Sequence, residues 1–272
     1  MNILEAASDP NLFGKHFKDR ETWAAWFAFL RVLFGLDQQA DDRGLIHKAV
    51  GAPNLHGHAF SEAWLICGRR AGKSFVLALI AVYLACFRDW RPHLQPGERG
   101  TILILACDVK QARVIFRYVA GLIESCKLLA PKLLRKTATE IELDNAIVIE
   151  VRPASFRAVR GYTIVAALCD EIAFWRSDDS ANPDFEVLNA LRPAMATVPG
   201  SMLLCASSPY AKRGALWQAY RKHYGKDSDV LVWKADTRTM NPTVPQSLID
   251  KAYADDAEAA RAEYGAEFRS DL

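Results

Sequence analysis

The chain has 272 residues, of which 51% are hydrophobic, so it can bury a sizeable core. Its 34 Lys and Arg residues nearly balance 32 Asp and Glu residues, which excludes a uniformly basic nucleic-acid-binding domain and leaves only local contacts with DNA. The longest apolar run, Phe75 to Phe87, is too short to span a bilayer, and the N-terminus has no signal-peptide pattern. We therefore expect a cytoplasmic globular protein without membrane contact. Six cysteines without C-x-x-C spacing are expected to be buried free thiols.

The first 60 residues are predicted to be a helical appendage that packs on the core. Helical periodicity runs from Arg20 to Leu36, whereas the stretch from Asp37 to Ala59 is rich in Gly and His and is typical of a loop. His56 and His58 in that stretch could bind a metal, but two histidines without a third ligand are more often ordinary loop residues.

From Ala63 onward, short apolar segments typical of buried strands alternate with helical segments. A parallel sheet covered by helices on both faces has this pattern, and its ligands bind at the carboxyl ends of the strands. We expect an α/β core over residues 61–245 and a C-terminal helical segment over 246–272. The predicted strands are Ala63–Cys67, Thr101–Cys107, a hairpin over Glu140–Val151 that turns at Asp144-Asn145, Thr163–Cys169, Ser201–Ala206 and an edge strand over Val230–Lys234; helices are predicted over Phe75–Phe87 and Val109–Leu129.

A phosphate-binding loop is predicted between the first strand and the helix that follows it. Such a loop needs a glycine at the tight bend, inward-facing N–H groups, a Lys for the outer phosphates and a hydroxyl for Mg²⁺. Gly72, Lys73 and Ser74 meet three of these needs. The usual first glycine of G-x-x-x-x-G-K-[ST] falls on Cys67, with Gly68 one place later, so the motif is a variant. The candidate nucleotide-binding residues are Gly68, Arg69, Arg70, Ala71, Gly72, Lys73 and Ser74.

Two adjacent acids, Asp170 and Glu171, follow the strand Thr163–Cys169, as a Walker B element requires. The first can hold Mg²⁺ opposite Ser74, and the second can polarise the water that attacks the γ-phosphate. The alternative is that both acids simply cap the following helix. An acid pair with a strand between it and the P-loop indicates the additional-strand, catalytic-glutamate (RecA-like) type of P-loop NTPase.

The next strand ends at Ser207-Ser208-Pro209. Hydroxyl groups beside a Walker B strand can sense the γ-phosphate and transmit its loss to a neighbouring segment. A plain Ser-Ser-Pro turn is the alternative.

Together these motifs resemble the ATPase domain of the large terminase subunit, the motor that packs bacteriophage and prophage DNA into capsids. The resemblance covers roughly residues 60–270 and lies in GRRAGKS, in Arg160-Gly161 ahead of LCDEIAFW, in the SSP and in AEYGAEFRSD. By matching position it implies that Lys73 and Ser74 bind phosphate and Mg²⁺, and that Arg69 lies over the phosphates. It also implies that Asp170 is the metal acid, Glu171 the catalytic base, and Ser207 with Ser208 the coupling motif.

The resemblance further implies ATP and Mg²⁺ as cofactors, and double-stranded DNA, the portal of a procapsid and a small terminase subunit as partners. Motors of this family work as rings of identical subunits in the cytoplasm of the bacterial host. They also carry a C-terminal nuclease domain, which would begin where this sequence ends at Leu272, so we expect an ATPase-domain fragment without nuclease activity. Five loop residues could line a DNA path: Lys132, Arg135, Lys136, Lys212 and Arg213.

Arg160 lies just before the Walker B strand, at the end of the strand opposite its own nucleotide. It is therefore predicted to act on the nucleotide of a neighbouring subunit, as the resemblance to terminases also implies. The alternatives are a surface arginine that only braces the hairpin, and Arg157 as a rival donor.

Two other interpretations compete with the terminase resemblance. A helicase- or recombinase-type ATPase shares the sheet and both Walker elements but does not explain the SSP and EYGAEF segments. A module that binds ATP without hydrolysing it would normally lack Glu171.

Overall fold

The computed structural model describes residues 1–52, 55, 57–155, 157–176, 178 and 180–270. Among these residues, no helix is long and apolar enough to cross a membrane. The helices are α1 Ile3–Ser8, α2 Ala24–Leu33, α3 Arg43–Val50, α4 Lys73–Phe87, α5 Val109–Glu124, α6 Pro183–Met195, α7 Gly214–His223, α8 Thr237–Met240, α9 Gln246–Asp255 and α10 Ala257–Glu263. The strands are β1 Glu62–Cys67, β2 Gly100–Ala106, β3 Leu133–Lys136, β4 Glu140–Leu143, β5 Ile147–Pro153, β6 Thr163–Asp170, β7 Met202–Ser207 and β8 Val230–Ala235.

The strands form an eight-stranded sheet, and the chain divides into two compact units. Unit 1 comprises 1–18, 74–170 and 175–204, and unit 2 comprises 19–73, 171–174 and 205–272. Strand β7 is divided between them after Leu204.

Unit 1 holds the order β3-β4-β5-β2-β6-β7. Strand β2 pairs in parallel with β5 and β6, whereas β3-β4-β5 is antiparallel. All seven residues of β2 are buried, as a central strand of a covered parallel sheet requires. The amphipathic helix α5 packs on β2 and β5, and α6 packs on β6.

Unit 2 holds the order β7-β1-β8, with β8 at the edge and parallel to β1. Helix α7 packs on both β1 and β8, and α3 packs on β8. The carboxyl end of β1 leads directly into the predicted phosphate-binding loop.

The α/β fold with a mainly parallel sheet is confirmed, as are the hairpin and the edge position of β8. The loop predicted over Asp37–Ala59 is wrong in part, because α3 lies within it. Ile46, Ala49 and Val50 recur on one face of α3 and are buried, and this short stripe is hidden in the sequence by the polar residues around it. His56 lies outside the described residues.

Two predicted helices are longer than those observed, and one strand was not predicted. The helix expected over Arg20–Leu36 is limited to α2, and the one expected over Val109–Leu129 ends at Glu124 and is followed by a short 3₁₀ turn. Strand β3 is mostly exposed and pairs only with β4, so it lacks the apolar pattern that identifies the other strands. The predicted division of the chain at residues 60 and 245 stays a proposal.

Candidate nucleotide-binding site

Lys73 is the first residue of α4, and its ammonium group is turned back into the preceding loop. Nζ donates hydrogen bonds to the carbonyl oxygens of Cys67 and Gly68, both at 3.1 Å, and the residue is only 6% exposed. A buried cation held by carbonyl groups on one side is well placed to neutralise an anion on the other.

Gly68, in the same loop, has no space for a side chain. A Cβ atom there would lie 2.1 Å from Thr237 Oγ1 and 2.8 Å from the carbonyl oxygen of Tyr264. The close approach explains why glycine occupies this position, one place after the usual one. Cys67, where the motif normally has its first glycine, is fully buried, and burial raises the pKa of its thiol to about 12, so the thiol is neutral.

The backbone of the phosphate-binding loop contains conformations that are rare in proteins. Arg70 and Gly72 both adopt left-handed backbone angles, with φ of 63° and 98°. Left-handed residues of this kind occur in the backbone concavities that bind anions. The conformation costs little for Gly72 but is strained for Arg70, and strain of this kind is typical of functional loops.

Glu171 lies in unit 2 with Lys73 and with both serines of the SSP segment. Its Oε1 is 3.7 Å from Lys73 Nζ. Its Oε2 accepts hydrogen bonds from Ser207 Oγ at 3.0 Å and from the backbone N–H of Ser208 at 3.1 Å. Glu171 also has a left-handed backbone, with φ of 49°. The structure thus brings together four of the predicted site residues, from three distant parts of the chain.

Asp170 and Ser74, the predicted magnesium ligands, belong to unit 1. Asp170 ends β6 and is 3% exposed, and its carbonyl oxygen accepts a hydrogen bond from the indole of Trp175 at 2.9 Å. Ser74 is the second residue of α4 and is half-buried. A carboxylate and a hydroxyl are oxygen donors of the type that Mg²⁺ prefers, so the donor set fits this ion.

Two further residues predicted for the site are the arginines Arg69 and Arg160. Arg69 is exposed, and its guanidinium pairs with Glu263 at 3.1 Å. Arg160 is exposed in the turn before β6, a strand that spans roughly 23 Å from Thr163 to Asp170 at 3.3 Å per residue.

The five basic residues suggested for a DNA path fall into two groups. Three of them form ion pairs with nearby acids, so their charges are largely compensated: Lys132 with Asp144, Arg135 with Glu140 and Glu142, and Lys136 with Glu124. Within the described part of the chain, Lys212 and Arg213 form no ion pair.

Sequence reasoning missed the side chains that hold the loop from outside. Trp26, Thr237 and Asn241 donate hydrogen bonds to loop carbonyl oxygens. The carbonyl oxygen of Glu263, in the AEYGAEF segment, accepts a hydrogen bond from the N–H of Arg69. No sequence spacing could reveal these contacts, because their partners lie 45 to 194 residues away.

Residues 43–266 match a protein-family model described as "Uncharacterized protein MJ0330, N-terminal P-loop domain". The chain belongs to this P-loop family. The match covers the loop, the acid pair and the SSP segment. A search of curated proteins found no match.

Solved structures similar to this P-loop domain include phage large terminases. A mutant of the large terminase ATPase domain of Thermus phage P74-26 has a TM-score of 0.61 at 18% identity, covering 88% of this chain and 98% of that one. The corresponding domain without the mutation gives 0.59 at 19% identity, with 88% and 97% covered. The large terminase of bacteriophage HK97 gives 0.59 at 15% identity, and 86% of this chain matches about half, 51%, of that protein. At these identities the likeness shows a shared fold, that of the large terminase ATPase domains.

Proposed function

We propose that this chain is the ATPase domain of a large terminase subunit, which hydrolyses ATP to move double-stranded DNA into a procapsid. The contact of Lys73 and Glu171 with each other, and of Glu171 with Ser207 and Ser208, supports this proposal most directly. These contacts gather into one cluster an ammonium group suited to phosphate, a carboxylate suited to general-base catalysis and two serine hydroxyl groups. The shared fold with terminase ATPase domains supports it independently.

In this proposal the loop N–H groups and Lys73 bind the β- and γ-phosphates. Ser74 and Asp170 would hold Mg²⁺, which when bound neutralises phosphate charge. Glu171 orients a water molecule in line with the γ-phosphate and takes up its proton. The bond between the γ-phosphorus and the bridging oxygen breaks, and ADP and inorganic phosphate are formed.

The contacts of Glu171 suggest how binding prepares it for this role. Its Oε2 is held by Ser207 and Ser208, whereas its Oε1 faces Lys73. Phosphate oxygens that bind Lys73 would replace Oε1 as the partner of the ammonium group. We infer that Oε1 then becomes the oxygen that accepts the proton of the water.

DNA contact is proposed for Lys212 and Arg213. They follow the SSP segment in the loop that leads to α7, and among the described residues neither forms a salt bridge. A phosphodiester backbone supplies the missing anions. The proposal also includes two further partners, the portal of the procapsid and a small terminase subunit. The chain would work in a ring of identical subunits in the host cytoplasm.

Measurement of ATP turnover tests the proposal against its rivals. We expect slow hydrolysis by the isolated chain and faster hydrolysis with procapsids or portal, without strand separation of duplex DNA. Glu171→Gln is the control for contaminating ATPases. Unwinding of duplex DNA would favour a helicase, and nucleotide binding without turnover under every condition would favour a regulatory module.

A further inference from the structure

Three consecutive carbonyl groups of the phosphate-binding loop accept hydrogen bonds from side chains outside it. Thr237 Oγ1 donates to the carbonyl oxygen of Arg69 at 2.8 Å. Asn241 Nδ2 donates to that of Arg70 at 2.8 Å. Trp26 Nε1 donates to that of Ala71 at 2.7 Å. All six residues lie in unit 2.

Because the peptide bond is planar, fixing a carbonyl group also fixes the direction of the N–H group of the next residue. In a trans peptide, the C=O of one residue and the N–H of the next point in opposite directions. Donors that fix the carbonyl groups of residues 69, 70 and 71 therefore turn the N–H groups of residues 70, 71 and 72 the opposite way. Those are the N–H groups that a phosphate-binding loop presents to its ligand.

We propose that Trp26, Thr237 and Asn241 are positioning residues that hold the loop in its phosphate-binding conformation before the nucleotide arrives. The inference rests on the proposed binding of nucleotide at this loop and assigns a role to residues outside it. Arg70 has a strained backbone, with φ of 63°. Such a conformation persists only where surrounding contacts hold it, and the three hydrogen bonds supply contacts of this kind.

The three donors are themselves fixed by contacts that do not involve the loop. Trp26 is 1% exposed and packs edge-on against Phe29, with ring centroids 5.7 Å apart. Thr237 is fully buried, and its N–H donates to the carbonyl oxygen of Tyr264 at 2.8 Å. Asn241 Oδ1 accepts hydrogen bonds from Thr243. Because each donor is held independently, it can impose a conformation on the loop.

The test removes the hydrogen-bond donors one at a time; Thr237→Val does so at constant side-chain size, and the Trp90→Phe control matches the loss of size in Trp26→Phe. Trp26→Phe and Thr237→Val each delete one hydrogen bond, and Asn241→Ala provides a third variant at a less buried position. Thr237→Ser restores a hydroxyl group. Trp90→Phe is the matched control, because the Trp90 indole is also buried but donates to the carbonyl oxygen of Leu84 at 2.8 Å, outside the loop.

ADP is the probe, and its dissociation constant is measured for each variant. The melting temperature of each variant and its KM and kcat for ATP are measured as well. We expect Trp26→Phe and Thr237→Val to weaken ADP binding and raise KM about three- to tenfold, with little change in kcat. Thr237→Ser and Trp90→Phe should bind ADP within about twofold of the unmodified chain, since they keep every hydrogen bond to the loop.

Three results would overturn the inference: unchanged ADP affinity in all three donor variants, a Thr237→Ser variant that binds ADP as weakly as Thr237→Val, or equal ADP affinities of Trp26→Phe and Trp90→Phe. An unmodified chain that binds ADP but never hydrolyses ATP would overturn the proposed hydrolysis instead, and the affinities of the variants would still decide the role of the donors. If Trp26 had a purely structural role, Trp26→Phe and Trp90→Phe would both have lower melting temperatures, and their ADP affinities would be equal.

Discussion

Lys73 and Glu171 form an ion pair, with 3.7 Å between Lys73 Nζ and Glu171 Oε1. Lys73 is nearly buried and Glu171 is one-fifth exposed, so water screens their attraction only partly. In the proposed reaction, Lys73 acts on phosphate charge in both ground and transition states, whereas Glu171 acts on the attacking water alone. Their substitutions should therefore have different effects.

Lys73→Ala is expected to abolish nucleotide binding, whereas Glu171→Gln should bind ADP with near-normal affinity. Loss of the general base should lower kcat about 10²- to 10⁴-fold. Titration with ADP and a steady-state ATPase assay measure the two effects. Lys251→Ala, which removes an exposed lysine of α9, is the control for loss of positive charge. Equal losses of affinity in the Lys73 and Glu171 variants would contradict this division of roles.

Gly68→Ala should weaken nucleotide binding about tenfold or more, because the new methyl group would overlap Thr237 Oγ1 and displace the loop. ADP titration measures the effect. Gly44→Ala is the matched control, since a Cβ atom at Gly44 meets nothing within 4 Å. It should leave affinity unchanged and stabilise α3 slightly. Normal ADP binding by Gly68→Ala would mean that the loop has room that the structure does not show.

At the scale of secondary-structure elements, the sequence predicted the parts whose apolar pattern is continuous. Strands β1, β2, β6 and β7 are almost fully buried, so their sequences are apolar throughout. Helix α3 was missed because only a short stripe of its surface is buried, and β3 was missed because it is an exposed edge strand.

The candidate site was predictable where chemistry lies on consecutive residues, as in the loop, the acid pair and the SSP segment. It was not predictable where tertiary structure brings distant residues to the loop. Nothing in the sequence around Trp26 or Thr237 indicates a role at the loop, and only the fold brings their donor groups to loop carbonyl oxygens.

The end of β7 contains the hydroxyl proposed to couple hydrolysis to movement. Ser207 Oγ has one proton and two acceptors in reach, Glu171 Oε2 at 3.0 Å and the carbonyl oxygen of Ser208 at 2.7 Å. It can therefore change partner when the γ-phosphate leaves. Its loop continues to Lys212 and Arg213, the proposed DNA contacts.

Ser207→Ala should keep basal ATP hydrolysis within about tenfold of normal, because the N–H of Ser208 still holds Glu171. DNA packaging by this variant should fall much further. The measurement is packaged DNA per ATP hydrolysed in a reconstituted reaction. Ser201→Ala, a substitution ahead of the same strand, is the control. Packaging at the normal rate by Ser207→Ala would exclude the coupling role.

At the scale of the whole molecule, Arg160 is predicted to act on the nucleotide of a neighbouring subunit. It precedes β6, and the strand carries the chain roughly 23 Å away before Asp170 is reached. In a ring of identical subunits with head-to-tail interfaces, an exposed arginine can serve the site of the next subunit. Such an arginine contributes about 10³- to 10⁵-fold to the rate of phosphoryl transfer.

Activity should therefore depend on assembly, and the specific activity of the chain should rise with its concentration. Arg160→Ala and Glu171→Gln should each be nearly inactive alone, yet a mixture should recover activity. In an equal mixture about a quarter of the interfaces join an intact arginine to an intact glutamate. Arg160→Ala mixed with the double variant Arg160→Ala/Glu171→Gln is the control, because it contains no intact arginine. Arg157→Ala tests the rival donor. Failure of the first mixture to recover activity, while sedimentation shows that the subunits assemble, would mean that Arg160 does not act across an interface.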